Sequence, residues 1–403
     1  MWTGCGGSDD DESGSGVTLN WFVATQPGGS IQEVAKRCTQ ESGGEYNVNV
    51  ELLPTDASQQ REQLVRRLGA EDSGVDLIGM DVIWTAEFAN AGWLQKWSGE
   101  DAQTVTDGVF DTVIETASFE GDLYGAPFNS NTQLLWYRTD QVDQAPETWQ
   151  EMIEQAEEIG GFIQVQANRY EGYTVWVNSM IESAGTQVLS GPEEVDLQEE
   201  PTLAALTEIG RLANSPAAAR DIDTSDEDTA RLGFEAGDSP FMLNYTFAYA
   251  SAQANAPKIA ESMGAAKFPE VVEGEGSRPP LGGFNIGVSA FTDNPEEAFT
   301  AATCLSNKES QLTALELDGL PPSNQTLYGG KEVEKAYPGF ADEVEQSIDS
   351  AAVRPLTPAY TDLSLAIQRA LHPPEDIDPQ DPQPSYDDLL QAVEDAVKRE
   401  GLL

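Results

Sequence analysis

The sequence predicts an α/β protein, because strand-like segments alternate with helical ones and paired glycines mark helix ends. The run 17–23 (VTLNWFV) indicates a strand, and a helix follows from about Ile31 to Gly43 and Gly44, where glycine supplies the left-handed cap. Strands joined by helices of this length pair in parallel through right-handed crossovers. The next expected elements are a strand at 47–53, a helix at 56–70, a strand at 75–82 and a short helix at 85–91.

The middle of the chain indicates a crossing into a second domain. The segment 124–137 (YGAPFNSNTQLLWY) predicts a polar kink between two strand-like ends. Helical periodicity then resumes. The helices are expected at 149–159, 174–184, 201–214 and 226–235.

The last third is predicted to be mainly helical. The alternating run 284–291 (FNIGVSAF) predicts a strand, after which Asn294 and Pro295 begin a helix in the favoured capping order. That helix is expected to continue to about Asp318, before the loop 319–323 (GLPPS). Further helices are expected at 339–352, 360–371 and 386–399, with a proline-rich connection at 373–384.

Length and charge exclude several classes of protein. The 403 residues suggest two or three domains. The 70 Asp and Glu against 21 Lys and Arg give a formal charge of -49, so no nucleic-acid partner and no basic contact with an anionic membrane are expected. This balance suits a protein that faces high salt, and an ordinary acidic exported protein is the alternative. The longest uncharged stretch, 239–257, contains amides and is too polar to span a membrane.

Catalytic motifs are missing from the sequence. The single histidine, His372, excludes paired-histidine zinc motifs, and it precedes Pro373 and Pro374 at a predicted helix end, where a capping or solvated role is favoured. There is no Gly-x-Ser-x-Gly, P-loop or dinucleotide motif. We therefore expect no enzyme and no cofactor. A glycoside hydrolase with two carboxylates and an acidic surface scaffold are the less favoured alternatives.

The three cysteines suggest an exported chain. Cys5 stands in Thr-Gly-Cys-Gly-Gly, and residues 8–16 are only Ser, Gly, Asp and Glu. This stretch resembles the start of a mature bacterial lipoprotein, with Trp2 where Leu is usual, which implies a lipid on Cys5, a tether at 1–16 and an artificial start at Met1. A flexible tail with a free thiol is the alternative. In an oxidising compartment Cys38 and Cys304 are candidates for one disulfide, or for two buried free thiols.

Four motifs in order carry a wider resemblance. They are 76–84 (DLIGMDVIW) with Phe88 and 91–94 (AGWL), 123–127 (LYGAP) with 134–138 (LLWYR), 282–287 (GGFNIG), and 353–355 (VRP) with Pro358. From Val17 onward the chain resembles the extracellular solute-binding proteins of ABC sugar importers, in the branch that handles maltose and trehalose.

This resemblance implies a two-lobed periplasmic-binding-protein fold of type II, the Venus flytrap, with the ligand cleft between the lobes. It implies a monomer outside the cell, anchored to the membrane only through its lipid, that captures a disaccharide and passes it to permease subunits. The lobes would comprise 17–127 with 283–322, and 132–281 with 328–403. The hinge crossings would lie near 128–131, 282 and 323–327.

A sugar needs carboxylates and amides for its hydroxyls and aromatic planes for its C–H faces. Asp81 ends a predicted parallel strand, where crevice ligands of α/β sheets lie, although it is also a candidate helix cap. Asn129 and Asn131 lie in the first crossing and offer donor and acceptor together, with plain turn residues as the alternative. By resemblance Arg354 clamps the sugar, and an ordinary ion pair is its alternative.

The resemblance implies four further contacts. One of Gln60 and Arg61 reaches the sugar, or both form a solvated helix face. Tyr245 and Phe284 lie where maltose-type relatives often have tryptophan, or they are core residues. Because smaller rings stack over less area, a compact disaccharide is favoured over long maltodextrins. Trehalose is the first expectation, and maltose, sucrose or a related glycoside are the alternatives.

Overall fold

The computed structural model describes residues 16–54 and 57–398. Cys5 and the tether up to residue 15 lie outside the described residues. The strands are β1 (Val17–Val23), β2 (Tyr46–Leu52), β3 (Leu77–Asp81), β4 (Ser118–Phe119), β5 (Asp122–Leu123), β6 (Gly125–Arg138), β7 (Ile163–Gln164), β8 (Leu189–Gly191), β9 (Glu194–Val195), β10 (Phe241–Tyr245), β11 (Met263–Ala266) and β12 (Leu281–Val288).

Helices cover most of the remaining chain. They are α1 (Ser30–Glu41), α2 (Ala57–Leu68), α3 (Thr85–Asn90), α4 (Gly99–Thr106), α5 (Asp111–Thr116), α6 (Trp149–Ile159), α7 (Glu171–Ser183), α8 (Glu199–Ala213), α9 (Glu227–Ala236), α10 (Phe247–Asn255), α11 (Pro257–Ala260), α12 (Pro295–Ser306), α13 (Lys308–Asp318), α14 (Lys331–Ala336), α15 (Ala341–Asp349), α16 (Tyr360–Leu371) and α17 (Gln383–Val397). Short 3-10 turns lie at Val82–Trp84, Ile222–Thr224, Gln325–Leu327 and Pro374–Asp376.

One eight-stranded sheet organises the molecule, in the order β2-β1-β3-β12-β6-β10-β7, with β11 also paired to β6. β1 pairs in parallel with both β2 and β3, as predicted from the helices that join them. β12 pairs antiparallel with β3 on one side and with β6 on the other. The predicted α/β class is confirmed.

The segment predicted as a polar kink at 124–137 is instead one continuous strand, and that prediction was wrong. The first half of β6 pairs with β12, and its second half pairs with β10 and β11. β12 pairs with the backbone up to Thr132, β10 pairs with it from Gln133 onward, and Ser130 N also donates to Pro321 O at 2.9 Å, so the polar side chains at 129–133 do not interrupt the strand. β6 therefore carries a row of polar residues through the middle of the sheet.

The single helix predicted from Asn294 to Asp318 is two helices, which is a second correction. Asn307 adopts an extended conformation, with φ -67° and ψ 167°, and its side chain accepts a hydrogen bond from Ser310 N at 2.9 Å. Asparagine favours this capping geometry because its short amide competes with the helical backbone. The break leaves Cys304 in α12, where it forms a disulfide with Cys38 of α1.

Two large apolar cores lie on either side of the polar stretch of β6. One includes Trp21, Phe128 and Ile286, and the other includes Trp149 and Phe241. A third cluster joins the two sides, because α5 packs against α15 and Thr112 Oγ1 donates to Ile348 O at 2.8 Å.

Several helices were missed or misplaced by the sequence analysis. α4, α5, α10 and α14 had no prediction, and α7 begins at Glu171, three residues before its predicted start. Within the parts of the chain that the structure covers, none of the helices combines the length and apolar character needed to cross a bilayer.

Candidate functional site

The ends of several elements meet at the polar stretch of β6. Asp81 is the last residue of β3, and in the strand register it lies opposite Phe284 of β12. Phe284 in turn lies opposite Asn129 of β6. Asn131 pairs with Gly282 two positions further along the same ladder. The sheet therefore places four of the predicted ligand residues on three neighbouring strands.

Arg354 joins the two sides of this region. Its Nη2 lies 3.4 Å from Oδ1 of Asp81, and its Nη1 donates to Oε1 of Glu171 at 2.8 Å. The guanidinium carbon lies 5.9 Å from the centre of the Tyr360 ring. The side chain is only 8% exposed, and its buried Nε has no hydrogen-bond partner. Arg354 is thus held in an ion-pair cluster with one donor unused.

Glu171 is a site residue that the sequence analysis did not find. Its Oε1 also accepts from the Tyr360 hydroxyl at 2.5 Å, and its Oε2 accepts from Ser364 Oγ at 2.6 Å. Tyr360 and Ser364 both belong to α16, so Glu171 ties the start of α7 to that helix and to Arg354. Placing the start of α7 at residue 174 had left Glu171 outside the helix. Acidic residues are favoured in the first turn of a helix, so Glu171 could have indicated the true start of α7.

Asp81 has the capping role that the alternative interpretation gave it. Its Oδ1 accepts from Ile83 N at 3.2 Å, which caps the turn Val82–Trp84, and the same oxygen faces Arg354. Burial raises the pKa of Asp81, while the Arg354 charge and the Ile83 N–H oppose that shift. Burial by itself lowers the pKa of Arg354, but Tyr360, Asp81 and Glu171 outweigh it and raise that pKa above its ordinary value.

Tyr245 ends β10 within electrostatic reach of this cluster. Burial and the charge of Glu227 raise the pKa of its phenol, whereas Arg354 and a hydrogen bond with Gln133 lower it. The phenol therefore stays neutral and provides both a donor and an acceptor.

Buried amides on β6 include acceptors without partners. Asn129 is 2% exposed, and its Nδ2 donates to Ser130 O at 3.2 Å while its Oδ1 has no partner. Gln133 donates from Nε2 to Oε1 of Gln166 at 2.8 Å, and its own Oε1 also has no partner. An unsatisfied buried acceptor costs about 1–3 kcal/mol, so a ligand that donates hydrogen bonds here would recover that free energy.

The remaining predicted residues have other surroundings. Arg61 forms a bidentate ion pair with Glu87, with Nε at 2.7 Å from Oε2 and Nη2 at 2.5 Å from Oε1. Gln60 is buried on the same helix, α2. Phe284 is partly buried and packs against the core that contains Trp21. The structure thus gives Arg61 a carboxylate partner and Phe284 a core contact.

Phe247 is an aromatic residue that the sequence analysis passed over. It begins α10, two residues after Tyr245, and its side chain is 40% exposed. It lines a hollow of about 830 Å³ together with Pro27, which follows β1, and Leu317 of α13. None of Asp81, Glu171 and Arg354 lines this hollow, so Phe247 is not part of the ion-pair cluster.

The structure gives no support for metal chemistry within residues 16–54 and 57–398, where no group of three or more His, Cys, Asp and Glu side chains is arranged to hold an ion. His372 lies at the end of α16, and its Nε2 donates to Asp223 O at 3.1 Å. His372 is the C-cap residue of α16, in agreement with the predicted capping role, and the contact of its ring with Asp223 was not predicted.

The two packed halves and the polar region where their elements meet define a ligand-binding protein. Residues 33–341 match the family of bacterial extracellular solute-binding proteins, and the chain belongs to that family. A relative from Deinococcus radiodurans, called a probable ABC transporter-binding protein, is 27% identical over 350 residues, which is 81% of each chain. Members of this family bind a solute without transforming it, so the chain is not an enzyme.

Solved structures show the same fold. The maltose-bound MalE3 of T. maritima is 24% identical, with a TM-score of 0.79 over 96% of this chain and 100% of that chain. The sugar-binding protein MalE of Xanthomonas citri is 16% identical, with a TM-score of 0.81 over 95% of this chain and 98% of that chain. The predicted two-lobed fold is therefore confirmed.

Proposed function

We propose that this protein captures an α-linked disaccharide, with trehalose as the first candidate, and delivers it to the permease of an ABC transporter. The family is one of extracellular solute-binding proteins, and the relative from Deinococcus radiodurans carries an ABC transporter name. Proteins of the same fold have been solved with maltose, acarbose or tagatose bound. These relatives support a sugar as the ligand class.

The observation that carries the proposal is the cluster of Asp81, Arg354 and Glu171 beside buried amide oxygens that lack donors. Sugar hydroxyls donate to carboxylates and amide oxygens and accept from a guanidinium, so one polyol can engage all three kinds of group. Two carboxylates around one arginine also disfavour an anionic ligand. A neutral carbohydrate therefore fits this site better than an organic acid or a phosphate.

The aromatic side chains favour a compact ligand. Tyr245 and Tyr360 supply small rings beside the charged cluster. Such rings cover less of a sugar face than tryptophan does, which favours a disaccharide over a long maltodextrin. Maltose and sucrose are the competing disaccharides, and the amides at Asn129 and Asn131 would select among them by hydroxyl orientation.

We propose that the lobes follow the boundaries expected from the sequence, 17–127 with 283–322 and 132–281 with 328–403. Along β6 the pairing partner changes from β12 to β10, which supports a crossing between the lobes near 128–131. We further propose a monomer held at the outer face of the cell membrane by a lipid on Cys5. Mass spectrometry of the chain from its native host would test the lipid, since an unmodified Cys5 contradicts it.

Isothermal titration calorimetry with trehalose, maltose, sucrose and mannitol tests the function. We expect saturable binding of a disaccharide, a rise in melting temperature that grows with its concentration, and no release of reducing sugar. Asp81→Ala should abolish binding. Asp72→Ala is the matched control. Asp72 also pairs with an arginine, Arg67, but it follows α2 and forms no ion pair with Arg354.

Two outcomes would count against the proposal. If none of the four carbohydrates binds, the ligand class is wrong. If Asp81→Ala keeps the parent affinity while the fold is intact, Asp81 does not belong to the site.

A further inference from the structure

Two buried glutamine side chains link β10 to the polar stretch of β6. Gln166, two residues after the end of β7, donates from Nε2 to the backbone carbonyl of Leu243 in β10 at 2.8 Å. Gln133 of β6 donates from its own Nε2 to Oε1 of Gln166, also at 2.8 Å. We call these two successive hydrogen bonds the amide relay. Gln133 is 2% exposed and Gln166 is 1% exposed, so the relay is shielded from solvent.

The amide relay determines which end of each amide faces which neighbour. The Leu243 carbonyl can only accept, so Nε2 of Gln166 must face it and Oε1 of Gln166 must face Gln133. Gln133 in turn must present Nε2 to that oxygen, because two amide oxygens would repel each other. The Oε1 of Gln133 therefore takes no part in the relay, and no donor from the described part of the chain reaches it.

This remaining acceptor is costly to the folded chain. A buried acceptor without a donor costs free energy, and buried polar side-chain atoms in proteins usually have a partner. Turning the Gln133 amide over would not remove the cost, because its Oε1 would then face Oε1 of Gln166 and a hydrogen bond would be lost. A bound group that donates a hydrogen bond would satisfy this oxygen.

The strand register places Gln133 beside the sugar site. Gln133 and Asn131 are two positions apart on β6, so their side chains point to the same face of the strand. Tyr245, the last residue of β10, lies directly opposite Gln133. Tyr245 is also within electrostatic reach of Arg354 and Asp81. The unpaired oxygen therefore belongs to a residue next to the ion-pair cluster.

We propose that Gln166 is a positioning residue for sugar selectivity: it holds Gln133 as an acceptor, and this acceptor selects ligands with a free hydroxyl next to Tyr245. The inference rests on the proposed function, because it assigns one contact within the sugar site. Gln166 itself is bonded to Gln133 and Leu243, so it acts on the ligand through Gln133.

A free hydroxyl meets this requirement, whereas its close analogues do not. A hydroxyl donates its proton to Oε1 and keeps two lone pairs for other donors such as the Tyr245 phenol. A fluorine on the same carbon carries no proton, so it leaves Oε1 of Gln133 unpaired. A site built to hydrogen-bond a ligand hydroxyl rejects the analogue that lacks it, because a buried polar group then stays unpaired.

The test compares trehalose with its monodeoxyfluoro analogues by calorimetry, for the full chain and for Gln166→Met. If maltose or sucrose is the disaccharide that binds, its analogues replace those of trehalose. In the parent, fluorine at the position that faces Gln133 should weaken binding roughly tenfold or more. In Gln166→Met the Gln133 amide is free to turn, so the penalty at that one position should fall below about threefold. The penalties at the other positions should stay as in the parent.

Gln164→Met is the matched control. Gln164 is also buried and ends β7, but its Nε2 donates to Ser239 Oγ at 2.8 Å and not to the relay. This variant should keep the parent penalty at every position. Gln166→Asn, whose side chain is one methylene shorter and so cannot keep both hydrogen bonds of the relay, should give the same result as Gln166→Met and replaces it if the methionine variant does not fold.

Two double-variant comparisons separate positioning from a general structural effect. Gln133→Met removes the acceptor, so adding Gln166→Met to it should not change the fluorine penalties further. In the sugar-free chain, each single variant breaks the bond between the two glutamines, so the double variant should lose less stability than the two single losses added together. Urea unfolding midpoints measure this coupling without any ligand.

Additive stability losses, or the same fluorine penalties in the parent and Gln166→Met at every position, would overturn the proposal and leave sugar binding intact. Absence of binding by every disaccharide would instead contradict the proposed function and, with it, the assigned selectivity. Coupled stabilities in the urea experiment would then show that the ligand class had failed and not the amide relay.

Discussion

Arg354 contacts two carboxylates with unequal geometry. Its Nη1 lies 2.8 Å from Glu171, whereas its Nη2 lies 3.4 Å from Asp81, a residue 273 positions away in the sequence. Glu171 is also fixed by hydroxyls from α16, so Arg354 is held more tightly on that side. When the halves of the molecule separate, the Asp81 contact is the one expected to break, because it is the longer and less supported of the two.

Replacing Glu171 should weaken ligand binding without removing a predicted ligand contact. Glu171→Gln leaves Arg354 with one carboxylate and weakens three hydrogen bonds, at a cost of about 1–3 kcal/mol. We expect sugar affinity to fall roughly tenfold, measured by calorimetry. Ser364→Ala removes only one of the three hydrogen bonds to Glu171, together with the contacts of Ser364 Oγ to Thr174 and Gln368, and keeps the carboxylate, so its effect on affinity should be smaller. The same loss in both variants would show that the charge of Glu171 is unimportant.

The cap of α9 should give a pH-dependent contribution to stability. Asp226 Oδ1 accepts from Thr229 N and Thr229 Oγ1, both at 2.8 Å, and the backbone bond chiefly lowers the pKa of Asp226. Because the folded pKa lies below the unfolded one, the stabilisation is present above the usual value of about 3.9 and is lost as the pH falls through the lowered pKa.

Asp226→Ala should therefore cost about 1 kcal/mol at pH 7 and lose most of this cost at pH 2.5. Urea unfolding midpoints at the two pH values measure the difference. Asp226→Asn keeps the acceptor and should retain most of the stability at pH 7. A cost for the alanine variant that does not change with pH would contradict the charge-based explanation.

The disulfide should stabilise the first half of the molecule. Cys38 and Cys304 are separated by 266 positions and join α1 to α12. In the loop-entropy model a link across so long a loop is worth about 5 to 6 kcal/mol. We expect the double variant Cys38→Ser with Cys304→Ser to melt at a lower temperature than the parent, by calorimetric scanning. Cys5→Ser is the control, and an equal shift in it would show that the effect is not due to the disulfide.

Salt should stabilise the folded chain. With a formal charge of -49, repulsion between surface carboxylates opposes compaction. The Debye length falls to about 3 Å at 1 M salt, so that repulsion is then largely screened. We expect the melting temperature to rise between 0.05 and about 1 M sodium chloride and to change less beyond it. A melting temperature independent of salt would show that the acidic surface carries no stability cost.

Local signals predicted most of the secondary structure. The position of β1, the glycines after α1 and the ends of α6 and α16 agree with periodicity and capping, because these depend on contacts within a few residues. The errors have physical causes. The polar part of β6 is a strand because first β12 and then β10 pairs with its backbone, and the long helix breaks at Asn307 because the amide caps α13.

For this protein, the sequence by itself determined the α/β class and the acidic composition, since both are written along the chain, whereas Asp81, Asn131 and Arg354 became candidates through the family resemblance of the motifs. Only the tertiary structure decided that Arg354 lies between Asp81 and Glu171, and that Cys38 is bonded to Cys304. Contacts between residues so far apart in sequence depend on strand order and on the packing of the two halves, which no local pattern encodes.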